Sequence, residues 1–160
     1  MKLLKQRLTS PFGPRIHPKY GDKEFHTGVD LVDDKSHHVY CAYEGIVRRS
    51  KFGNFGEGNY IQIVSNIKGI SLYHNYFHNE ENLVKGYEDI KRDQLIAIQG
   101  MTGTVTGIHT HYEIFMMDSQ LNEDFAKDLI KFVKNEKIGH RIFFEPFMLD
   151  RYFIKKNIIS

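Results

Sequence analysis

A chain of 160 residues and 18.8 kDa has the size of one ordinary domain, and it can bury about 70% of its unfolded surface without covalent staples. Twenty-two Lys and Arg against 20 Asp and Glu are interspersed to a net charge of +2, which excludes the concentrated basic charge of a nucleic-acid binder. No run approaches the ~20 apolar residues of a membrane span, and the single Cys41 excludes an intramolecular disulfide and any zinc site built on two or more thiolates.

In chain order, Met1-Lys2-Leu3-Leu4 begins like a secretory leader. Lys5, Gln6, Arg7, Thr9 and Ser10 then fall where an apolar h-region belongs, so no signal peptide is expected. Turn chemistry follows at Pro11-Phe12-Gly13-Pro14 and Tyr20-Gly21-Asp22. Up to about Met117, strand-like runs at 27–31, 39–43, 45–50, 59–65, 70–77, 95–99 and 109–116 alternate with further turns. In the fourth run Tyr60, Gln62 and Val64 share one face, and Ile61, Ile63 and Ser65 the other. Such alternation suits antiparallel sheet with two unlike faces. Past Asp118 the period changes. Phe125, Leu129, Phe132 and Val133 recur at helical spacing, with Asn122 as N-cap and Gly139 as stop, predicting a helix over about 122–137. Pro146 opens a second, to about Tyr152. The expected fold is mainly β: one domain over 1–160, with an antiparallel, sandwich-like core over 6–117 and a C-terminal α-helical extension over 118–160.

With a single thiol and nine histidines, any metal must be held by imidazole and carboxylate. His26 and Asp30 lie four apart, and Gly28 and Val29 between them argue against a helix. Positions i and i+4 share one side of an extended strand, and a bend at Gly28 would bring both to one ion. Alone, such a pair is more often a surface pair. His109 and His111 are two apart in a strand-like run, so they share a face with Cα atoms about 6–7 Å apart. One ring can bind an ion while the other stands at the edge of its coordination sphere. His78 closes the run 70–77, and in a regular strand His74 would share its face, which makes His74 its rival. Taken together, His26, Asp30 and His111 supply two nitrogens and one carboxylate oxygen, a set suited to Zn²⁺. Three protein ligands leave a fourth position open, the pattern of catalytic zinc. His78 and His109 remain unligated and available for proton transfer.

The stretch Arg7-Leu8-Thr9-Ser10-Pro11-Phe12-Gly13-Pro14-Arg15-Ile16-His17-Pro18 runs on to Phe25-His26-Thr27-Gly28-Val29-Asp30-Leu31. After it come Gly58-Asn59-Tyr60-Ile61-Gln62-Ile63, Tyr76-Phe77-His78, Asp89-Ile90-Lys91-Arg92-Asp93-Gln94-Leu95-Ile96 and Gly100-Met101-Thr102-Gly103. His109-Thr110-His111-Tyr112-Glu113-Ile114 closes the series. These elements, in this order across roughly 7–116, resemble the lysostaphin-type zinc endopeptidases, which cut peptide crosslinks in bacterial peptidoglycan. The resemblance implies the lysostaphin-type peptidase core, a Zn²⁺ cofactor on His26, Asp30 and His111, and acid–base catalysis by His78 and His109. It also implies the peptide crosslinks of peptidoglycan as substrate, with action outside the cytoplasmic membrane. Without a leader, delivery by a bacteriophage virion or at lysis, within a larger virion or wall assembly, is expected; a processed exported protein would look the same. The alternative is a non-catalytic cell-wall-binding or regulatory or structural module of the same fold. Departures from the family pattern are Ile108 (usually Pro), Thr110 (usually Leu), Met101 (often Asn or Ser) and Asp93 (usually Gly, implying a reshaped loop). Met101 and the 53–58 loop bear on substrate preference, and the crosslink bond that is cut stays open. Glu113 shares a face with His111 in a regular strand and is one candidate acceptor for its distal N–H, a plain solvated carboxylate being the equal alternative. His17 reads as a structural turn residue, and His37, His38 and His140 as solvated surface.

Overall fold

The computed structural model describes residues 1–17 and 20–159; Pro18, which ends the Arg15-Ile16-His17-Pro18 motif, lies outside them. The first strand, β1 (Arg7–Ser10), is followed by a hairpin of its own, β2 (Gly13–Ile16) with β3 (Lys23–His26). The main sheet continues through β4 (Gly28–Val32), β5 (His38–Tyr40), β6 (Gly45–Lys51) and β7 (Asn59–Ile67). Then come β8 (Ile70–Asn82), β9 (Asp89–Ile90), β10 (Leu95–Gln99) and β11 (Thr110–Met117). Its order is β1-β4-β11-β8-β7-β6-β9, with β10 joining β8 to β5. Every pairing among the described residues is antiparallel. The fold is mainly β, as the alternation predicts, and on β7 Ile61, Ile63 and Ser65 form the buried face.

Two regions differ from the sequence expectation. The turn signals at Pro11–Pro14 conceal β2, because a two-stranded hairpin tolerates proline where a central strand does not; Pro14 pairs with Phe25 there. The segment after 117 is not wholly helical. Helix α1 (Asp124–Phe132) stops early, with Glu123 rather than Asn122 at its N-cap. The Asn135 side chain donates to the carbonyls of Ile130 (3.0 Å) and Val133 (2.7 Å), capping the end. Residues read as its last turn instead form β12 (Asn135–Ile138), which turns at Gly139 (φ +59°) into β13 (Arg141–Phe144). β13 pairs with β11 and extends the main sheet, and α2 (Pro146–Lys155) follows as expected. Ala126, Leu129, Ile142, Phe144, Leu149 and Phe153 join the same buried cluster as Ile61, Leu72 and Ile114.

Asp93 stands where the resemblance leads one to expect glycine. It adopts the left-handed conformation itself (φ +62°), one that Asp tolerates better than most residues. Its N–H donates to the Cys41 carbonyl at 2.9 Å.

His74 is a correction of another kind: it lies in the core, fully buried, with Nδ1 2.9 Å from the Tyr112 hydroxyl. Burial pushes its pKa down to about 3. The unfolded ring titrates near 6.5, so between these values the unfolded chain binds a proton that the folded chain refuses. Stability therefore falls as pH falls through that window, by about 1.4 kcal/mol per unit. Thermal melts from pH 6 to pH 4 should fall more steeply for the wild type than for His74→Gln; parallel curves would contradict a neutral buried ring.

Candidate metal centre

The site is built on three adjacent strands. In register, Asp30 on β4 lies opposite His111 on β11, and His111 lies opposite Phe77 on β8. His26 ends β3, and the strand is interrupted at Thr27 alone before β4 begins at Gly28. Gly28 has a different duty, because a Cβ there would stand 2.2 Å from the Tyr112 carbonyl oxygen. Only glycine lets β4 approach β11 closely enough to bring their side chains together.

Three donor atoms converge. His26 Nε2 is 2.9 Å from His111 Nδ1 and 3.1 Å from Asp30 Oδ1, and His111 Nδ1 is 3.0 Å from the same oxygen. The far side of each imidazole faces an oxygen that can only accept. His26 Nδ1–H donates to the Pro11 carbonyl at 2.8 Å, and His111 Nε2 lies 3.4 Å from the Glu113 carboxylate. Two imidazole nitrogens and a carboxylate oxygen thus point at one another, an arrangement that a shared proton or a single cation holds together. The electrostatics agree. Burial opposes charge on Asp30, but hydrogen bonds from His111 and His26 hold its carboxyl well below the usual carboxylate range. Burial would likewise depress His111, yet Asp30 and Glu113 push it up to about 9. A cation accepted at about 2.0–2.1 Å from nitrogen fits this donor set, and Zn²⁺ is the ion it suits.

Glu113 is 5% exposed, with its oxygens receiving Thr27 Oγ1 (2.6 Å) and Asn75 Nδ2 (2.7 Å). Burial opposes its charge, while bonds from His111, Thr27 and Asn75 keep the carboxyl ionised below its usual range. It therefore stands as the acceptor for His111 that the strand face predicts.

His78 and His109 stand beside the three donors with their rings 5.0 Å apart. His109 Nε2 is 3.7 Å from Asp30 Oδ1, farther than either donor nitrogen. Each ring again gives Nδ1–H to a backbone carbonyl, His109 to Gly107 at 2.9 Å and His78 to Thr102 at 3.0 Å. Their Nε2 lone pairs remain available. Burial pushes His78 down to about 4, so it is a neutral acceptor at neutral pH.

His78 reaches the site through a break in the strand. Its φ is +68°, and the pairing of β8 with β7 slips between Tyr76 and Asn79. Such a bulge re-aims a side chain. His78 therefore joins the site face while His74 and Tyr76 stay in the core. Sequence reasoning also passed over Arg15, whose Nη1 lies 3.2 Å from Asp30 Oδ2. The carbonyls of Pro11, Thr102 and Gly107 were equally invisible, since a backbone oxygen leaves no residue-type signal. A groove of about 580 Å³ opens over the centre, lined by Arg15, Asp30, His78, Thr104, His109 and His111.

Residues 24–123 match the description "Peptidase family M23". Peptidoglycan DD-endopeptidase ShyC of Vibrio cholerae is 37% identical over 112 residues, 69% of this chain and 25% of its own length. The chain spans about a quarter of the length of the first curated relatives it matches. A zinc-containing peptidase of Vibrio cholerae superposes with a TM-score of 0.58 at 33% identity, over 68% of this chain and 33% of that one. The catalytic domain of the antimicrobial peptidase lysostaphin, from Staphylococcus simulans, superposes with a TM-score of 0.62 at 26% identity. That match covers 72% of this chain and 84% of the lysostaphin domain.

Proposed function

The chain belongs to peptidase family M23, and from that premise we propose that it is a zinc-dependent endopeptidase that hydrolyses peptide crosslinks of bacterial peptidoglycan. One observation carries the proposal: His26 Nε2, Asp30 Oδ1 and His111 Nδ1 converge within 3.1 Å of one another beneath a groove that two unligated histidines also face. These three residues would hold the ion. When bound, zinc supplies Lewis acidity, which polarises a scissile carbonyl and lowers the pKa of water towards neutrality.

The remaining steps belong to the protein's own groups. In His78 and His109 the Nδ1–H groups are spent on backbone carbonyls, which leaves Nε2 as the atom of each ring that exchanges protons. One accepts the proton of the attacking water. The protonated imidazole then donates to the developing oxyanion or to the leaving amine, which completes proton transfer without another residue. Pro11 and Glu113 keep the ligand rings in the tautomers that face the ion. The open groove admits an extended peptide, and the relatives named DD-endopeptidases favour a bond between D-configured centres. A non-catalytic module of the same fold would have no need of a complete ligand set together with both free imidazoles. The cell wall, outside the cytoplasmic membrane, is the proposed place of action.

The test is the release of new amino termini from purified cell walls. The zinc-loaded protein should release them, a chelator should stop release, and added Zn²⁺ should restore it. A zinc-loaded protein that binds walls but releases no amino termini would overturn the proposal in favour of the binding module.

A further inference from the structure

We propose that Arg15 is a positioning residue of the metal centre, holding the outer oxygen of Asp30 so that Oδ1 alone faces the ion. Arg15 lies on β2, in the hairpin outside the main sheet, directly opposite Glu24. Its Nε donates to Glu24 Oε1 at 2.6 Å, and its Nη1 donates to Ser10 Oγ at 2.8 Å and to Asp30 Oδ2 at 3.2 Å. One planar group thereby ties together the end of β1, strand β3 and the metal-facing carboxylate on β4.

Three features make this a directed contact. The terminal torsion of an Asp is broad and roughly two-fold, so an unheld carboxylate could turn both oxygens to an ion. Arg15 occupies Oδ2, while Oδ1 is the oxygen within 3.1 Å of both ligand nitrogens. Glu24 balances the guanidinium charge, so a cation beside a dication site is tolerated. The fork is specific to arginine, because an ammonium is a point charge that cannot span three acceptors in a fixed plane. The same N-terminal segment supplies the Pro11 carbonyl that fixes His26. Residues 10–15 thus orient two of the three ligands, although none of them is itself a ligand.

The inference rests on the reading that His26, Asp30 and His111 hold one ion. Its test uses the full chain, with Zn²⁺ affinity measured by chelator competition and the visible spectrum recorded after loading with Co²⁺. Arg15→Gln should bind Zn²⁺ about 10–100-fold more weakly, the usual effect of losing an outer-shell partner. Its Co²⁺ band should change in position or intensity, because a carboxylate free to offer both oxygens raises the coordination number. Arg15→Lys, which keeps charge without the fork, should fall between it and the wild type. Melting of the metal-free variants near the wild-type temperature separates positioning from folding, since a merely structural residue would move the melt and leave the spectrum alone. An unchanged affinity and Co²⁺ band in Arg15→Gln overturns the proposal. Should Arg15→Gln fail to fold, a wild-type affinity and band in Arg15→Lys overturns it. A wild-type chain that binds neither ion overturns the metal reading itself.

Discussion

Asp30→Ala and His111→Ala should lose the bound ion and peptidase activity together, whereas His109→Ala should keep its ion and lose turnover by roughly 10²–10⁴-fold. The distances divide the two classes. Asp30 Oδ1 and His111 Nδ1 belong to the set that converges within 3.1 Å, while His109 Nε2 stands 3.7 Å from the same oxygen. Removing a member of the set leaves two donors, too few to compete with water for the ion. Removing His109 leaves all three donors and takes away only a proton acceptor. His78→Ala belongs with His109→Ala, since its ring is anchored to Thr102 and meets the His111 ring edge-on, 6.3 Å between centroids, without joining the three convergent donors. Metal content by mass spectrometry of acid-digested protein, read beside activity, checks the division. Equal metal content in Asp30→Ala and His109→Ala would show the roles to be wrongly divided.

Gly28→Ala should unfold the protein more readily and weaken the metal site at the same time. The added methyl would stand 2.2 Å from the Tyr112 carbonyl oxygen and 2.8 Å from its carbon. Both are backbone atoms of β11, so nothing flexible can yield. The strands must part, at a cost of about 3 kcal/mol or more, the upper range for overpacking. For a chain of this size that lowers the melting temperature by roughly 6–12 °C. The same two strands carry Asp30 and His111 in register, so their separation spreads the donors as well as weakening the sheet. Calorimetry together with chelator competition reads both effects. A variant with unchanged melting temperature and zinc affinity would mean that the close approach of β4 to β11 has no consequence.

How much of this was legible in advance depends on how local the cause was. Alternation on β7 predicts its buried face because each side chain responds to its own strand. The two-residue spacing of His109 and His111 predicts a shared site face for the same reason. Local chemistry also marks where α2 begins, at Pro146. What stayed hidden depends on partners distant in the chain. His78 faces the groove because a bulge interrupts β8, and no residue type announces a left-handed histidine. His74 goes to the core because Tyr112, 38 residues away, offers it a hydroxyl. The helix after Asp124 ends early because β12 pairs with β13, and β13 in turn with β11, a choice made by the sheet edge rather than by propensity. Arg15 was visible as part of a motif, but its partner Asp30 lies on another strand, reached only after the hairpin folds back.

The central claim is that one ion is shared by His26, Asp30 and His111. Anomalous diffraction from crystals of the zinc-loaded protein, collected on both sides of the zinc absorption edge, tests it most directly. The account requires a single strong peak in bonding contact with His26 Nε2, Asp30 Oδ1 and His111 Nδ1. A peak bonded to His78 and His109 instead, or no peak between these three residues in zinc-saturated crystals, would contradict it.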